Sequence, residues 1–426
     1  MSDRRILYAG ALLRSLATGM IGVLLGVHLA RLGLDPAAIG SVIGAGLAGG
    51  ALAALLVTLA GDRLGRRRTL VALALISGLG GLAFALVSSF PALTVCAFVG
   101  MVNGMGRDRG GALILDQVIL PSTATDRDRT RVFAWYNVVQ DGGGAFGGLL
   151  AALPTVLRGV AGGSQTMALR LTLLLYAALF LAAAVVYIRL SGAVEPPARG
   201  VVAGAGAGTA AGGREAQDRG FRTGAGRLSP ASRRVVLRIS SLFAIDSLAG
   251  GLLTTALLSF FFFERFGVEE GVLGVMFFVA RLANAGSHLG AALLARRIGL
   301  VNTMVFTHIP SSLLLVTVAY APNFAVAAIL FVLREGLVEM DVPTRQSYVM
   351  AVVRPEERTV AAGVTSLVRL AAWSVGPWFA GWFMRGVSLI TPLLIGSGMK
   401  VAYDLLLYSA FRRIRPPEES DRRRTE

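Results

Sequence analysis

Apolar residues along this chain neither alternate nor mark one face of a periodic pattern. They run in stretches of about twenty, the length an α-helix needs to cross a bilayer, joined by short polar segments. The stretches fall near 6–30, 37–60, 70–88, 92–118, 131–153 and 168–190, then 235–262, 270–295, 302–320, 324–349, 359–384 and 388–411. This pattern predicts an all-α membrane protein with twelve transmembrane helices in two bundles of six, residues 1–190 and 231–415. Between them, 191–230 is rich in Gly, Ala and Arg around Pro196 and Pro197 and holds little large apolar surface, so it reads as a flexible cytoplasmic linker. Residues 416–426 read as a polar tail. The first stretch carries Arg14 and no small-residue cleavage site behind a short apolar core, so it is expected to be a retained helix, not a signal peptide.

Composition agrees: 54% of the 426 residues are hydrophobic and 15% charged, against about a quarter charged in soluble domains. The 41 basic residues outnumber 25 acidic ones for a net charge of +16, and Lys400 is the single lysine. A basic excess raises nucleic acid or an anionic membrane surface as partners. Its placement decides between them. Arg63, Arg66, Arg67, Arg68, Arg127, Arg129, Arg131, Arg296, Arg297, Arg354 and Arg358 lie in loops on one side, and Arg31, Arg158, Arg170, Arg265 and Arg385 on the other. By the positive-inside rule both termini are cytoplasmic, and nucleic-acid binding loses its support. Arginine over lysine in a Gly/Ala-rich chain fits a bacterial protein of the cell membrane, and a monomer is expected. Cys96 is the only cysteine, and His28, His288 and His308 fall on different spans. No metal site, cofactor or catalytic cluster is therefore expected, and an enzyme is disfavoured.

The chain repeats itself. Arg31-Leu-Gly-Leu-Asp-Pro-Ala-Ala-Ile-Gly40 matches Arg265-Phe-Gly-Val-Glu-Glu-Gly-Val-Leu-Gly274, and Arg63-Leu64-Gly65 falls on Arg297-Ile298-Gly299; Arg107-Asp108 corresponds to Arg334-Glu335 further on. Two parallel six-helix halves are the layout of one large transporter class. Between the second and third spans, Gly61-Asp62-Arg63-Leu64-Gly65-Arg66-Arg67-Arg68-Thr69-Leu70 resembles the cytoplasmic-loop signature of the major facilitator superfamily. With the spans, repeat and linker, the resemblance covers essentially the whole chain. It implies a gate loop built on Gly61, Asp62, Arg63, Gly65, Arg66 and Arg67, with Asp62 accepting from a neighbouring helix end. It also implies a central cavity bordered by spans 1, 2, 4, 5, 7, 8, 10 and 11, with 3, 6, 9 and 12 outside. The family's antiporters carry a Gly-Pro before a Gly-Gly in span five. Here Gly143-Gly144-Ala145-Phe146-Gly147-Gly148 and, in span eleven, Gly376-Pro377-Trp378-Phe379-Ala380-Gly381 match in part, tilting the reading towards export.

Charges inside apolar spans are costly and mark function by default. Span four holds Asn103-Gly-Met-Gly-Arg107-Asp108-Arg109-Gly-Gly, followed by Asp116. Neighbours on a helix diverge by about 100°, so Arg107, Asp108 and Arg109 cannot share one cavity, and the flanking glycines predict a bent or unwound segment lining water. Arg14, Asn137, Asp141, Arg281, Asn284, His288, Arg369 and Trp373 are the expected substrate contacts. Asp246, Glu339 and Asp341 are the candidate proton carriers, because a desolvated carboxylate is pushed towards neutrality. Arg107, Asp108, Asp116, Arg334, Glu335 and Arg345 are expected to gate or to pair helices. Lys400 and Asp404, spaced i,i+4 in span twelve, are expected to pair with each other, and His308 to be structural. The whole reads as a secondary transporter of a small organic solute by alternating access, with protons as coupling ion, and exporting by antiport. Uptake by proton symport or by uniport is the alternative, and a receptor or membrane enzyme a distant one.

Overall fold

The computed structural model describes residues 2–124, 128–161, 164–196, 230–298, 300–340 and 358–411, and among them the only regular secondary structure is helix. In the first half these are α1 (Asp3–Arg31), α2 (Pro36–Leu64), α3 (Arg66–Leu86), α4 (Phe90–Gly100), α5 (Gly111–Ile119), α6 (Arg129–Leu150), α7 (Leu153–Ala161) and α8 (Gln165–Ile188). The second half holds α9 (Pro230–Leu252), α10 (Thr255–Phe266), α11 (Glu270–Ile298), α12 (Leu300–Ala319), α13 (Phe324–Val338), α14 (Arg358–Gly386) and α15 (Thr391–Phe411). α4 with α5, α6 with α7, and α9 with α10 each form one interrupted span, giving twelve transmembrane helices in two six-helix bundles. Six of these stretches are long and apolar enough to cross a membrane unaided. α4, α5 and α12 are shorter apolar pieces.

The local sequence sets the ends. Asp35 accepts from the Ala38 N–H at 2.9 Å with Pro36 at the first helical position, a start that satisfies one donor and omits another. Gly65, at φ 89°, makes the abrupt turn from α2 into α3 that a side chain would strain. Ser164, Thr254 and Asn323 cap α8, α10 and α13.

Across the halves, α2 packs on α14, α6 on α11 and α1 on α10. Small residues permit these approaches. Across the halves, a Cβ built on Gly40 would overlap the Pro377 carbonyl and crowd Gly381; within the second half, one on Gly376 would collide with the Gly251 backbone. Gly147 meets the Leu16 carbonyl of α1, and Gly148 faces Gly274 of α11. Most of the glycines that tilted the reading towards export thus sit at close helix contacts, while a Cβ on Gly144 would meet nothing within 4 Å.

The opening of the expected linker is built: Gly192–Val194 form a 3-10 turn, and Ser191 is held by Asp3 through its amide at 2.9 Å and its hydroxyl at 2.6 Å. Residues 197–229 and the tail 412–426 lie outside the described residues.

Candidate functional site

The fourth span is interrupted as the glycines predicted. α4 ends at Met101 in a left-handed conformation, and helix resumes only at Gly111. Asn103 stabilises the unwound turn, its Oδ1 accepting from the Met105 N–H at 2.8 Å. The exposed carbonyls are taken up by the second half. Gly106 O accepts from Arg281 Nη2 at 2.7 Å, Met105 O from Thr255 Oγ1 at 2.8 Å, and Gly104 O from the Ala256 N–H at 3.0 Å. Non-helical backbone at membrane depth is tolerated only with such partners, so this turn is both a joint between the bundles and a wall of the site.

Arg107, Asp108 and Arg109 diverge from it in three directions. Arg107 reaches the second half, bonding Glu339 Oε2 at 3.2 Å and Asn284 Oδ1 at 2.7 Å; Asn284 in turn donates to Glu335 at 3.1 Å, and Glu335 pairs with Arg334. Asp108 turns back to Arg14 Nε at 2.8 Å. Arg109 lies over the Trp373 ring at 4.4 Å, and Arg369 lies over the same ring at 4.7 Å.

Arg14, expected to contact the cargo, is held among acids of the first half. It is 2% exposed, and its Nη2 bonds Asp116 Oδ2 at 2.6 Å, an oxygen that also accepts from Tyr136 Oη at 2.7 Å. Arg14, Asp108, Asp116 and Tyr136 tie α1, the unwound turn, α5 and α6 together inside the first half.

A cavity of about 880 Å³ opens between this turn and the second bundle, lined by Arg107, Arg109, Asp246, Arg281, Arg334, Glu335, Glu339, Arg369 and Trp373 together with His308 and Lys400. The last two correct the expectation that spans nine and twelve stay outside. Lys400 does not pair with Asp404. Its Nζ bonds Asp246 Oδ1 at 3.0 Å, while Asp404 sits 3.0 Å from His308 Nδ1. Asp141 borders a smaller cavity of about 560 Å³ that Arg107, Asp108, Arg109 and Arg281 also line, so the unwound backbone lets the three consecutive charges share one cavity, against expectation. Asn137 is exposed. Asp341, Arg345 and the side chain of His288 lie outside the described residues.

The gate loop makes its described contacts within the first half. Asp62 is exposed and bonds Arg66 of the next helix at 2.7 Å. Its expected role as acceptor at a helix end belongs instead to Glu195, which takes the Arg66 and Arg67 backbone N–H groups at 2.6 and 3.1 Å and so caps α3 with a carboxylate. Gly61 packs beside Leu115, and Arg63 is exposed.

On the opposite face, the arginines that the loop count treated as a minority join the halves. Arg31 bonds Glu270 at 2.7 Å, Arg158 bonds Glu269 at 3.1 Å and lies 3.7 Å from Glu270, and Arg385 bonds Asp35 at 3.1 Å. Asp35 and Glu269 are equivalent in the repeat, so the same contact is made twice, once from each half. Glu270 is fully buried. This arginine-poor face is latched shut. Glu270→Gln is expected to loosen it, measured as several-fold faster maleimide labelling of a cysteine replacing Thr155, which lies against Gly271 beneath the latch, in a Cys96→Ser background in detergent. Unchanged labelling would show that Glu270 does not hold the face closed.

The model for the Major Facilitator Superfamily matches residues 7–377. An uncharacterized membrane protein of Saccharomyces cerevisiae is 25% identical over 424 residues, spanning 96% of this chain and 94% of its own. Among solved structures, the nucleoside transporter NupG superposes with a TM-score of 0.70 at 16% identity, covering 97% of this chain and all of its own. The D-xylose-proton symporter gives 0.67 at 15%, covering 97% of both chains. The human organic anion transporter MFSD10 gives 0.61 at 19%, covering 95% and 98%.

Proposed function

Because this chain belongs to the major facilitator superfamily, and is thus a membrane transporter of some solute, we propose that it carries a small organic anion together with a proton by alternating access. The supporting observation is the charge of the central cavity. Among its described lining residues, Arg107, Arg109, Arg281, Arg334, Arg369 and Lys400 face three carboxylates, Asp246, Glu335 and Glu339. Guanidinium groups recognise carboxylate or phosphate through paired donors. Arg281, set on the unwound turn by its bond to Gly106 O, is the anchor.

The sign of this charge bears on direction. A proton added to any group bordering the cavity makes it more positive and tightens an anion, and by reciprocity the anion tightens the proton. Positive linkage of this kind supports symport, with uptake driven by an inward proton gradient. A cationic drug would compete with the proton, as antiport requires. The export reading rests on glycines most of which also serve helix packing. Symport into the cell, across the cell membrane with both termini cytoplasmic, is therefore the better-supported reading.

The test is uptake into proteoliposomes under an imposed pH gradient, across radiolabelled carboxylates, phosphate esters, neutral sugars and lipophilic cations. At least one anion is expected to accumulate with the inward proton gradient and to stop accumulating when a protonophore is added. Arg281→Gln is expected to reduce that accumulation about tenfold or more, the worth of a charge-assisted bond. Movement of a cation against the proton gradient would return the chain to the export reading.

A further inference from the structure

Three helices of the second half, α9, α12 and α15, meet at a file of four ionisable side chains that packing alone does not require. Asp246 Oδ1 is 3.0 Å from Lys400 Nζ, Lys400 Nζ is 3.3 Å from His308 Nε2, and His308 Nδ1 is 3.0 Å from both oxygens of Asp404. All four are buried, from Lys400 at 7% exposed to Asp404 at 1%. Asp246, Lys400 and His308 border the central cavity, and Asp404 stands behind them. We propose that His308 Nε2 is the binding site of the coupling proton, and that a proton arriving there displaces the Lys400 ammonium into the cavity.

An ammonium has donors only, so its approach to Nε2 requires the lone pair of a neutral ring whose proton is on Nδ1, donated to Asp404. The Nε2 lone pair, which Lys400 covers, is the place on the file where a further proton can bind. That proton passes from cavity water to the Nε2 lone pair, forming an N–H bond, and is returned to water when the bond breaks. Nε2–H and the ammonium cannot face each other at 3.3 Å, so occupancy by the proton excludes the lysine. Lys400 can then withdraw only along Asp246, into the space lined by Arg281 and Arg369, where its charge adds to the attraction for an anion.

The residue types agree with this use. The chain has one lysine among 41 basic residues, and places it where a compact, mobile ammonium is wanted in place of a planar guanidinium fork. Tyr403 of α15 lies edge-on, with ring centroids 6.3 Å apart, and Arg281 of α11, Arg334 and Glu335 of α13 and Arg369 of α14 border the same cavity.

The assignment rests on the proton-coupled reading above, yet its test needs no cargo. The full chain, labelled with nitrogen-15 only at the lysine ζ position and separately in histidine, is reconstituted in liposomes and followed by solid-state NMR from about pH 8 to about pH 5, the interval in which histidine ordinarily titrates. The single lysine signal is expected to move in step with one of the three imidazoles gaining its second N–H. In His308→Gln it is expected to stay still. A lysine signal that does not move, or that moves equally in the variant, overturns the proposal. Should the variant fail to fold, the wild-type histidine spectrum still decides, because an Nε2–H tautomer at high pH would contradict the lysine-to-ring bond. A chain that passes this test and moves no anion would refute the proposed cargo alone.

Discussion

Arg14→Met is expected to destabilise the protein by about 3–5 kcal/mol, the loss typical when one member of a buried ion pair is removed. The cost comes from what stays behind. Asp116 is fully buried and Asp108 nearly so, and without the guanidinium two carboxylates would be held in a low-dielectric space with only the Tyr136 hydroxyl as a described donor. The measurement is reversible unfolding in mixed micelles, comparing Arg14→Met, Asp116→Asn, and the triple variant that also neutralises Asp108 and Asp116. Asp116→Asn should cost less than Arg14→Met, because Arg14 keeps Asp108. The triple variant should recover much of the loss, because it leaves no uncompensated charge. An Arg14→Met protein as stable as wild type would mean that these distances do not reflect a working pair. Transport separates the two roles this arginine could have: a cargo contact would lose transport at unchanged stability, whereas the packing role predicts that both fall together.

That arginine also marks the limit of what the sequence discloses. The spans, the repeat and the break in span four follow from apolar run length, self-similarity and glycine placement, and they can be read directly. The partners of a charge are not local. Arg14 finds its carboxylates 94 and 102 residues away, so spacing along one helix could not disclose either. Lys400 and Asp404 have ideal i,i+4 spacing, but a surface pair of that kind is worth only a few tenths of a kcal/mol. Acceptors on two neighbouring helices outweigh it inside a bundle. The latch on the arginine-poor face had a usable signal that the topology count discarded. The repeat sets Asp35 upon Glu269, and two equivalent acids at helix starts facing a minority of arginines is the pattern of a contact made twice across a pseudo-twofold axis.

Gly40→Val is expected to abolish most transport while leaving each bundle folded. α2 and α14 touch most closely where Gly40 meets Pro377 and Gly381, and a Cβ on Gly40 would overlap the Pro377 carbonyl, which no rotamer change can move. Overpacking of this sort costs about 1–3 kcal/mol. Here the two bundles can avoid that cost by rocking apart on the arginine-poor face, so it becomes a shift of the alternating-access equilibrium by roughly tenfold to a hundredfold. The variant should then populate a state open on that face. The Thr155 cysteine should be labelled faster even with Glu270 intact, and accumulation of the transported anion should fall by a similar factor. Gly381→Val, on the facing helix, should reproduce both effects. The double variant should add little to either, because both side chains obstruct the same closure. The comparison with Gly376 isolates the cause. Gly376 packs on Gly251 within the second bundle, so Gly376→Val should lower stability without increasing labelling at Thr155. If Gly40→Val and Gly376→Val behaved alike, the close contact of α2 with α14 would be a matter of folding. If only Gly40→Val opens the face, the close contact of Gly40 with Pro377 and Gly381 is the bearing on which the two halves close.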